Sequence, residues 1–346
     1  MSASQFGSRF SVSTFGESHG VALGVLIDGC PAGVPFDASL LQKEMDRRRP
    51  GHHNKADGQP EQVVSGRMEE DQAEVLSGVF ENKTLGTPIA IIVRNKDARS
   101  QDYEGIKTQA RAGHADDMWR NKFSHSDHRG GGRSSGRETV SRVMAGSVAQ
   151  MMMKAASPQT RVVGYASQIA SFELTQTERS QVLSKNIDSF QARFPSAQSA
   201  QVEKLLQEAQ AAGESYGGIA EILIHQAPVS LGQPVFHKLK SDLAQAFMSV
   251  GATNGFELGL GFESVSEKGT AFHGGNGEAY GGIRGGISTG EDILLRVSFK
   301  PTSSILDVAK KGRHDPCIVT RAIPVLEAMT WLVLADHLLW ARTDRI

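Results

Sequence analysis

The chain has 346 residues, 39 % of them hydrophobic and 22 % charged, enough apolar mass for a sizeable buried core. Its 37 basic and 38 acidic side chains leave a formal net charge of −1, which excludes nucleic-acid binding through a broadly basic surface and directs local basic clusters to small, discrete anions. Two distant cysteines, Cys30 and Cys317, without a CxxC, argue against a disulfide scaffold or a zinc–thiolate site and fit a reducing cytoplasm.

The first ten residues lack the charged start and apolar run of a signal peptide. In "FGESHG" (15–20), His19 lies between glycines at the entrance to a strand, beside Glu17 and Ser18, a placement typical of residues that line a site. The strand runs from Val21, and "PAGVPF" turns it into a helix starting near Asp37. That helix ends in "DRRRPG", where Arg47, Arg48 and Arg49 supply more positive charge than a helix stop requires. "TLGTPIAIIV" from Thr84 is a glycine turn feeding another strand. His114, in "RAGHADD", has Arg111 and Asp116 near it, a set able to bind an anion and move a proton.

"HSDHRGGGRSSGRET" (125–139) is the densest motif, and after Gly136 the apolar positions Val140, Val143, Met144, Ser147, Val148, Met151 and Met152 follow a helical period. Residues 130–136 therefore predict a loop entering a helix N-terminus, an anion site lined by Arg133, Ser134, Ser135 and Arg137. The stretch matches neither the GxGxxG dinucleotide pattern nor a P-loop, because Arg137-Glu138 stands where a P-loop has Lys followed by Ser or Thr. The pair His125 and His128 has metal-ligand spacing, but its cationic neighbourhood disfavours a metal.

Residues 171–212 predict a peripheral excursion, polar and irregular to about residue 200, with an amphipathic helix over 197–212. "GIAEILIHQAPVSLGQPVF" (218–236) then repeats the shape of residues 20–36, a helix follows from Lys238, and 288–297 repeats 84–93. Residues of about 10–100 and 215–300 thus form two related halves of a single domain. Glycine-rich 274–290 predicts a mobile segment, "FKPTSSI" (299–305) a donor-rich loop, and "GRHDP" (312–316) a cluster of arginine, histidine and carboxylate. The apolar stretch 324–339, interrupted by Glu327, Asp336 and His337, predicts a buried helix, because a membrane span needs roughly 20 mostly apolar residues.

Together "FGESHG", "DRRRPG", "SGVFENKTLGTPIA", "DARSQDY", "GHAD", "RGGGRSSGRET", "GGIRGGIS", "KPTSS" and "GRHDPCIVTRAIPVLEAM" resemble, in order, the signatures of the chorismate synthase family. The resemblance spans nearly the whole chain. It implies an α+β fold, a β-α-β sandwich of two pseudo-symmetric halves, and a cytoplasmic homotetramer. The implied activity is a 1,4-anti elimination of phosphate from 5-enolpyruvylshikimate 3-phosphate. Reduced FMN is required although there is no net redox change, and NADPH serves only indirectly, as reductant of the flavin through an external flavin reductase. By motif, His19 resembles the residue that protonates the departing phosphate, His114 the one that protonates reduced flavin, and Asp315 the carboxylate assisting deprotonation at flavin N5. Arg133, Ser134, Ser135, Gly251, Ala252, Gly285, Lys300, Pro301, Thr302, Ser303, Ser304 and Arg313 resemble FMN contacts. Arg48, with Arg49 and Arg137, resembles a phosphate position for substrate or NADP. The chain departs from the family pattern at Asn54, Ala112, Gly136, "DMWRNKFS" (117–124), "GATNG" (251–255) and the short "ILDVAKK" (305–311). An altered-substrate relative and a nucleotide- or RNA-binding protein are the competing readings. The near-zero charge and 6 % aromatic content weigh against the latter.

Overall fold

The computed structural model describes residues 3–49, 71–95, 113–127, 129–275, 278–303, 305–306 and 315–345. Strands β1 (Gln5–Phe6), β2 (Ser11–Phe15), β3 (Ala22–Asp28) and β4 (Glu74–Ser77) precede a hairpin, β5 (Val79–Phe80) with β6 (Lys83–Thr84), and then β7 (Ile89–Arg94). They form an antiparallel sheet ordered β1-β2-β3-β7-β4, with the hairpin separate. The second half supplies β8 (Arg161–Ile169), β9 (Phe172–Glu173), β10 (Gly218–His225), β11 (Thr253–Leu258), a hairpin of β12 (Ile283–Arg284) and β13 (Ile287–Ser288), and β14 (Ile293–Phe299). Its sheet, also antiparallel, is ordered β9-β8-β10-β14-β11. Among the described residues, a helix, a strand and a two-stranded hairpin separate β3 from β7, and the same elements with a further short helix separate β10 from β14.

The helices are α1 (Ala38–Arg48), α2 (Asp116–Phe123), α3 (Thr139–Ala156), α4 (Gln176–Ser180), α5 (Ser199–Ala212), α6 (Leu239–Met248), α7 (Gly269–Gly274) and α8 (Val319–Ala341). Period-two burial of Leu23, Val25 and Ile27 on β3, and of Ala220, Ile222 and Ile224 on β10, gives each sheet one apolar face. The first sheet lays that face on α3 and the second on α8, and the two helices pack against each other between them. Gly146 permits this approach: a Cβ there would sit 2.4 Å from Cβ of Ala328. At 23 residues α8 is long and apolar enough to cross a membrane, but 89 % of its most apolar window is buried within the protein.

Pro324 lies inside α8 and has no N–H, so the carbonyl of Thr320 loses its helical partner. Arg193 fills the gap by donating to Thr320 O, and its Nη2 donates to Arg47 O at 2.9 Å, at the end of α1. The 171–200 stretch is therefore less peripheral than its polarity predicts. It is built of short helical turns that bury Val182, Ile187, Ala192 and Phe194.

Arg47 holds α1, this stretch and α8 together, 2.6 Å from Glu44, 2.7 Å from Asp188 and 2.7 Å from Glu327, beside a cavity of about 320 Å³. Burial alone would raise the Asp188 carboxyl, but the Arg193 and Arg47 guanidiniums outweigh it and hold that group well below the usual range. Burial also raises Glu327, and Arg47 offsets this only in part. Because the Asp188 pKa is depressed in the folded state, its stabilisation is present above the unfolded carboxylate value and lost as pH falls toward the folded one. Arg47→Leu is expected to cost about 3–5 kcal/mol at pH 7, since it strands buried carboxylates. The deficit should shrink toward pH 4, where those carboxyls take up protons in the variant. Urea unfolding across this range checks the expectation, and a deficit independent of pH would contradict it.

Candidate active site

A cavity of about 1190 Å³ opens between the two halves. Its walls come from Ala3–Phe6, α2 with Gly113 and His114, the 130–142 segment, residues 249–252, Lys300, Thr302 and Ser303, and the start of α8 with Asp315. Among the described residues, seven Arg or Lys side chains line it (Arg48, Lys122, Arg133, Arg137, Arg142, Lys300 and Arg321) against two carboxylates, Glu138 and Asp315. Such an excess in a concave, partly apolar wall concentrates anions.

The glycine-rich motif makes a tight turn that leads toward the N-terminus of α3. Gly130, Gly131 and Gly132 take φ of 60°, 83° and 52°, a run of left-handed backbone suited to glycine. Ser135 caps the next short turn by accepting from Arg137 N at 3.3 Å, and the α-helix itself begins at Thr139. Arg133 donates to Thr14 Oγ1 at 2.7 Å and to Gly16 O at 3.2 Å. Among the described residues it has no carboxylate partner, so its charge is available to the cavity. Ser134 Oγ donates to Gly131 O at 2.7 Å and rigidifies the turn.

His19 packs behind this turn, with Nδ1 3.2 Å from Ser18 Oγ. A Cβ on Gly130 would sit 2.2 Å from both Cε1 and Nδ1 of the imidazole, so the cavity-lining glycine is in contact with His19, although His19 is not itself part of the wall. Gly130→Ala combines that clash with an unfavourable φ. It is expected to displace the ring and lower turnover roughly 100-fold while the protein stays folded. Steady-state kinetics beside a thermal melt will show this, and near-normal kcat in a folded variant would contradict it.

The backbone at Gly113, beside His114, packs on Ser303: a Cβ on Gly113 would lie 3.2 Å from Ser303 Cβ. Thr302 Oγ1 donates to Asp315 O at 2.9 Å, and Lys300 N donates to Ala252 O at 3.1 Å. The motifs at 251–252, 300–303 and 315 thus form one continuous wall, with Pro301 between two lining residues. The Asp315 carboxylate is 8 % exposed and 2.8 Å from Arg321 Nη1.

The remaining candidate residues sit in different surroundings. Arg48 is 1 % exposed, and it shares the fully buried Asp71 carboxylate with Arg137, at 3.1 Å and 2.6 Å respectively. Both arginines border the cavity, and Asp71 offsets part of the positive charge they bring to it. Arg49 does not line the cavity; it follows α1 with Nη2 3.5 Å from Asp46. Gly285, at φ 64°, occupies the turn between β12 and β13 and is not in the wall. Ser304, Arg313 and His128 lie outside the described residues, and Asp127 engages Arg129 at 2.7 Å.

Residues 10–339 match the family model described as chorismate synthase. The chain belongs to the chorismate synthase family. It is 76 % identical over 346 residues to the chorismate synthase of Bdellovibrio bacteriovorus, covering 100 % of both chains. It is 43 % identical over 367 residues to that of Synechococcus sp. WH7803, covering 97 % of each. A crystal structure of a chorismate synthase superposes with a TM-score of 0.74 at 28 % identity, covering 96 % of this chain and 92 % of that one. The chain is accordingly a lyase of aromatic amino-acid biosynthesis.

The cavity suits what a chorismate synthase must hold. Its volume exceeds the roughly 300–1,000 Å³ of a one-ligand pocket. Nothing lies within 4 Å of a Cβ built on Gly136 or Gly251, which leaves open backbone for a ligand to approach. Phe6, Met118, Trp119, Val325, Met329 and Leu332 offer apolar surface to a ring system. Motif reading missed Asp71 and Asn95. Arg321, six residues after Asp315 and on the first turn of α8, carried a usable signal.

Proposed function

We propose that the chain eliminates phosphate from 5-enolpyruvylshikimate 3-phosphate to give chorismate, with substrate and reduced FMN side by side in the large cavity. The observation that carries this reading is the convergence of four separate sequence motifs on one cationic wall large enough for two ligands. Arg133, Ser134, Ser135, Gly251, Ala252 and Lys300 through Ser303 would hold the flavin. Arg137 and Arg48, sharing Asp71, would meet the substrate phosphate, each charge-assisted contact being worth roughly 1.5–3 kcal/mol.

Reduced flavin, when bound, supplies the electron density and basicity that make cleavage accessible without net redox change. The chain does the rest. A C–H bond and the C–O bond to phosphate break, the ring gains a conjugated double bond, and a proton and phosphate depart. Fixed guanidinium and ammonium groups stabilise the charge that builds on the leaving phosphate, without having to reorganise. His19 delivers a proton to that phosphate. His114 holds a proton at the cavity wall, and Asp315, oriented by Arg321, assists removal of the substrate proton.

The assembly we assign is a cytoplasmic homotetramer, supported by exposed apolar side chains such as Leu76, Phe80, Val235 and Phe236. We also assign the two halves to duplication of one module, supported by their shared strand order. Reduced flavin comes from an external reductase, with NADPH acting only through it. Anaerobic mixing of protein, photoreduced FMN and 5-enolpyruvylshikimate 3-phosphate should yield chorismate by absorbance, and none should form from NADPH and oxidised FMN in air. No product with reduced flavin would refute the activity, and product in air without another enzyme would refute the external supply.

A further inference from the structure

Asn95 immediately follows β7 and belongs to none of the segments that read as ligand-binding. Its Nδ2 reaches three carbonyls of the "FGESHG" turn, Gly20 O at 2.8 Å, Ser18 O at 3.2 Å and Glu17 O at 3.3 Å. Its backbone N–H donates to Val21 O at 3.0 Å, just past the same turn. On its other side, Oδ1 accepts from Arg137 Nη2 at 3.1 Å and Nε at 3.3 Å. The amide orientation is dictated by its neighbours, because a guanidinium only donates and a carbonyl only accepts. Arg137 is in turn fixed by Asp71 at 2.6 Å. One planar amide therefore joins a cavity-lining arginine to the turn that carries His19.

We infer that Asn95 is a positioning residue that sets His19 against the site of the departing phosphate by tying its turn to Arg137. The inference rests on the proposed role of His19. No other side chain of similar size offers an acceptor to the cation and donors to the carbonyls at once. Aspartate keeps the former and repels the latter, and alanine does neither.

The test is a double-mutant cycle. Asn95→Ala and Asn95→Asp are each expected to lower kcat about 10–100-fold with substrate KM changed less than about threefold, the mark of an interaction that matters in the transition state. In a His19→Ala background the same changes should have almost no effect, because residues that act as a unit are non-additive. A general structural defect would instead lower both backgrounds equally. In parallel, NMR of labelled histidine in the ligand-free protein, with His19 identified by its loss in His19→Ala, should show the His19 signal and its titration moved in both Asn95 variants. This readout stands even if the wild type makes no chorismate, an outcome that would refute the proposed function but not the inference. Additive losses in the cycle, or a His19 signal and titration unmoved in folded Asn95 variants, would overturn it.

Discussion

Replacing Asp71 with alanine should destabilise the protein by about 3–5 kcal/mol, the usual cost of leaving buried charge uncompensated. The carboxylate has no exposed surface and stands between two guanidiniums, Arg48 at 1 % exposure and Arg137 at 8 %. Arg48 also donates to Thr139 Oγ1 and Gly136 O, both at 3.1 Å, so the pair joins the end of α1 to the start of α3. Without Asp71 both guanidiniums lose a buried carboxylate, and the link between the end of α1 and the loop into α3 weakens. Asp71→Asn keeps the volume and one acceptor and should lose roughly half as much. Urea unfolding of both variants measures this, and a loss below about 1 kcal/mol for the alanine variant would show that the arginines are satisfied without it.

His19→Ala and His114→Ala should each cut turnover about 10²–10⁴-fold, the range for removing a positioned acid or base. Substrate KM should move little, because the proposed phosphate contacts are Arg137 and Arg48 and neither imidazole is among them. The two histidines lie apart in the chain, His19 behind the glycine turn and His114 in the cavity wall, next to the Gly113 that packs on Ser303. A stopped assay under saturating reduced FMN gives kcat and KM for each variant. Near wild-type kcat in both would refute the assigned roles, and a large rise in KM alone would reassign them to binding.

The architecture was legible where side-chain period and turn chemistry agree. The apolar runs ending in proline and glycine turns marked β3 and β10, and the 3.6-residue spacing after Gly136 marked α3. The coil-like polarity of 171–200 misled, because the segment's few apolar residues and Arg193 are nearly all turned inward. In the site, the clustered glycine, arginine and serine of the 130–137 motif fall on the lining of the large cavity, since those residue types suit close backbone approach and anion binding in any context. Asp71 and Asn95 were not legible. Their partner Arg137 is 66 and 42 residues away, and an isolated Asp or Asn carries no local pattern. The same limit explains Arg48, because an arginine in a motif looks alike whether it faces a ligand or a buried carboxylate.

The most direct measurement is a crystal structure of the protein with FMN and 5-enolpyruvylshikimate 3-phosphate bound. Both ligands should occupy the large cavity, the flavin in contact with Arg133, Ser134 and the Lys300–Ser303 segment and the substrate phosphate near Arg137. Flavin bound elsewhere, on the β12–β13 hairpin or in the smaller cavity beside Arg47 with the large one empty, would contradict the account.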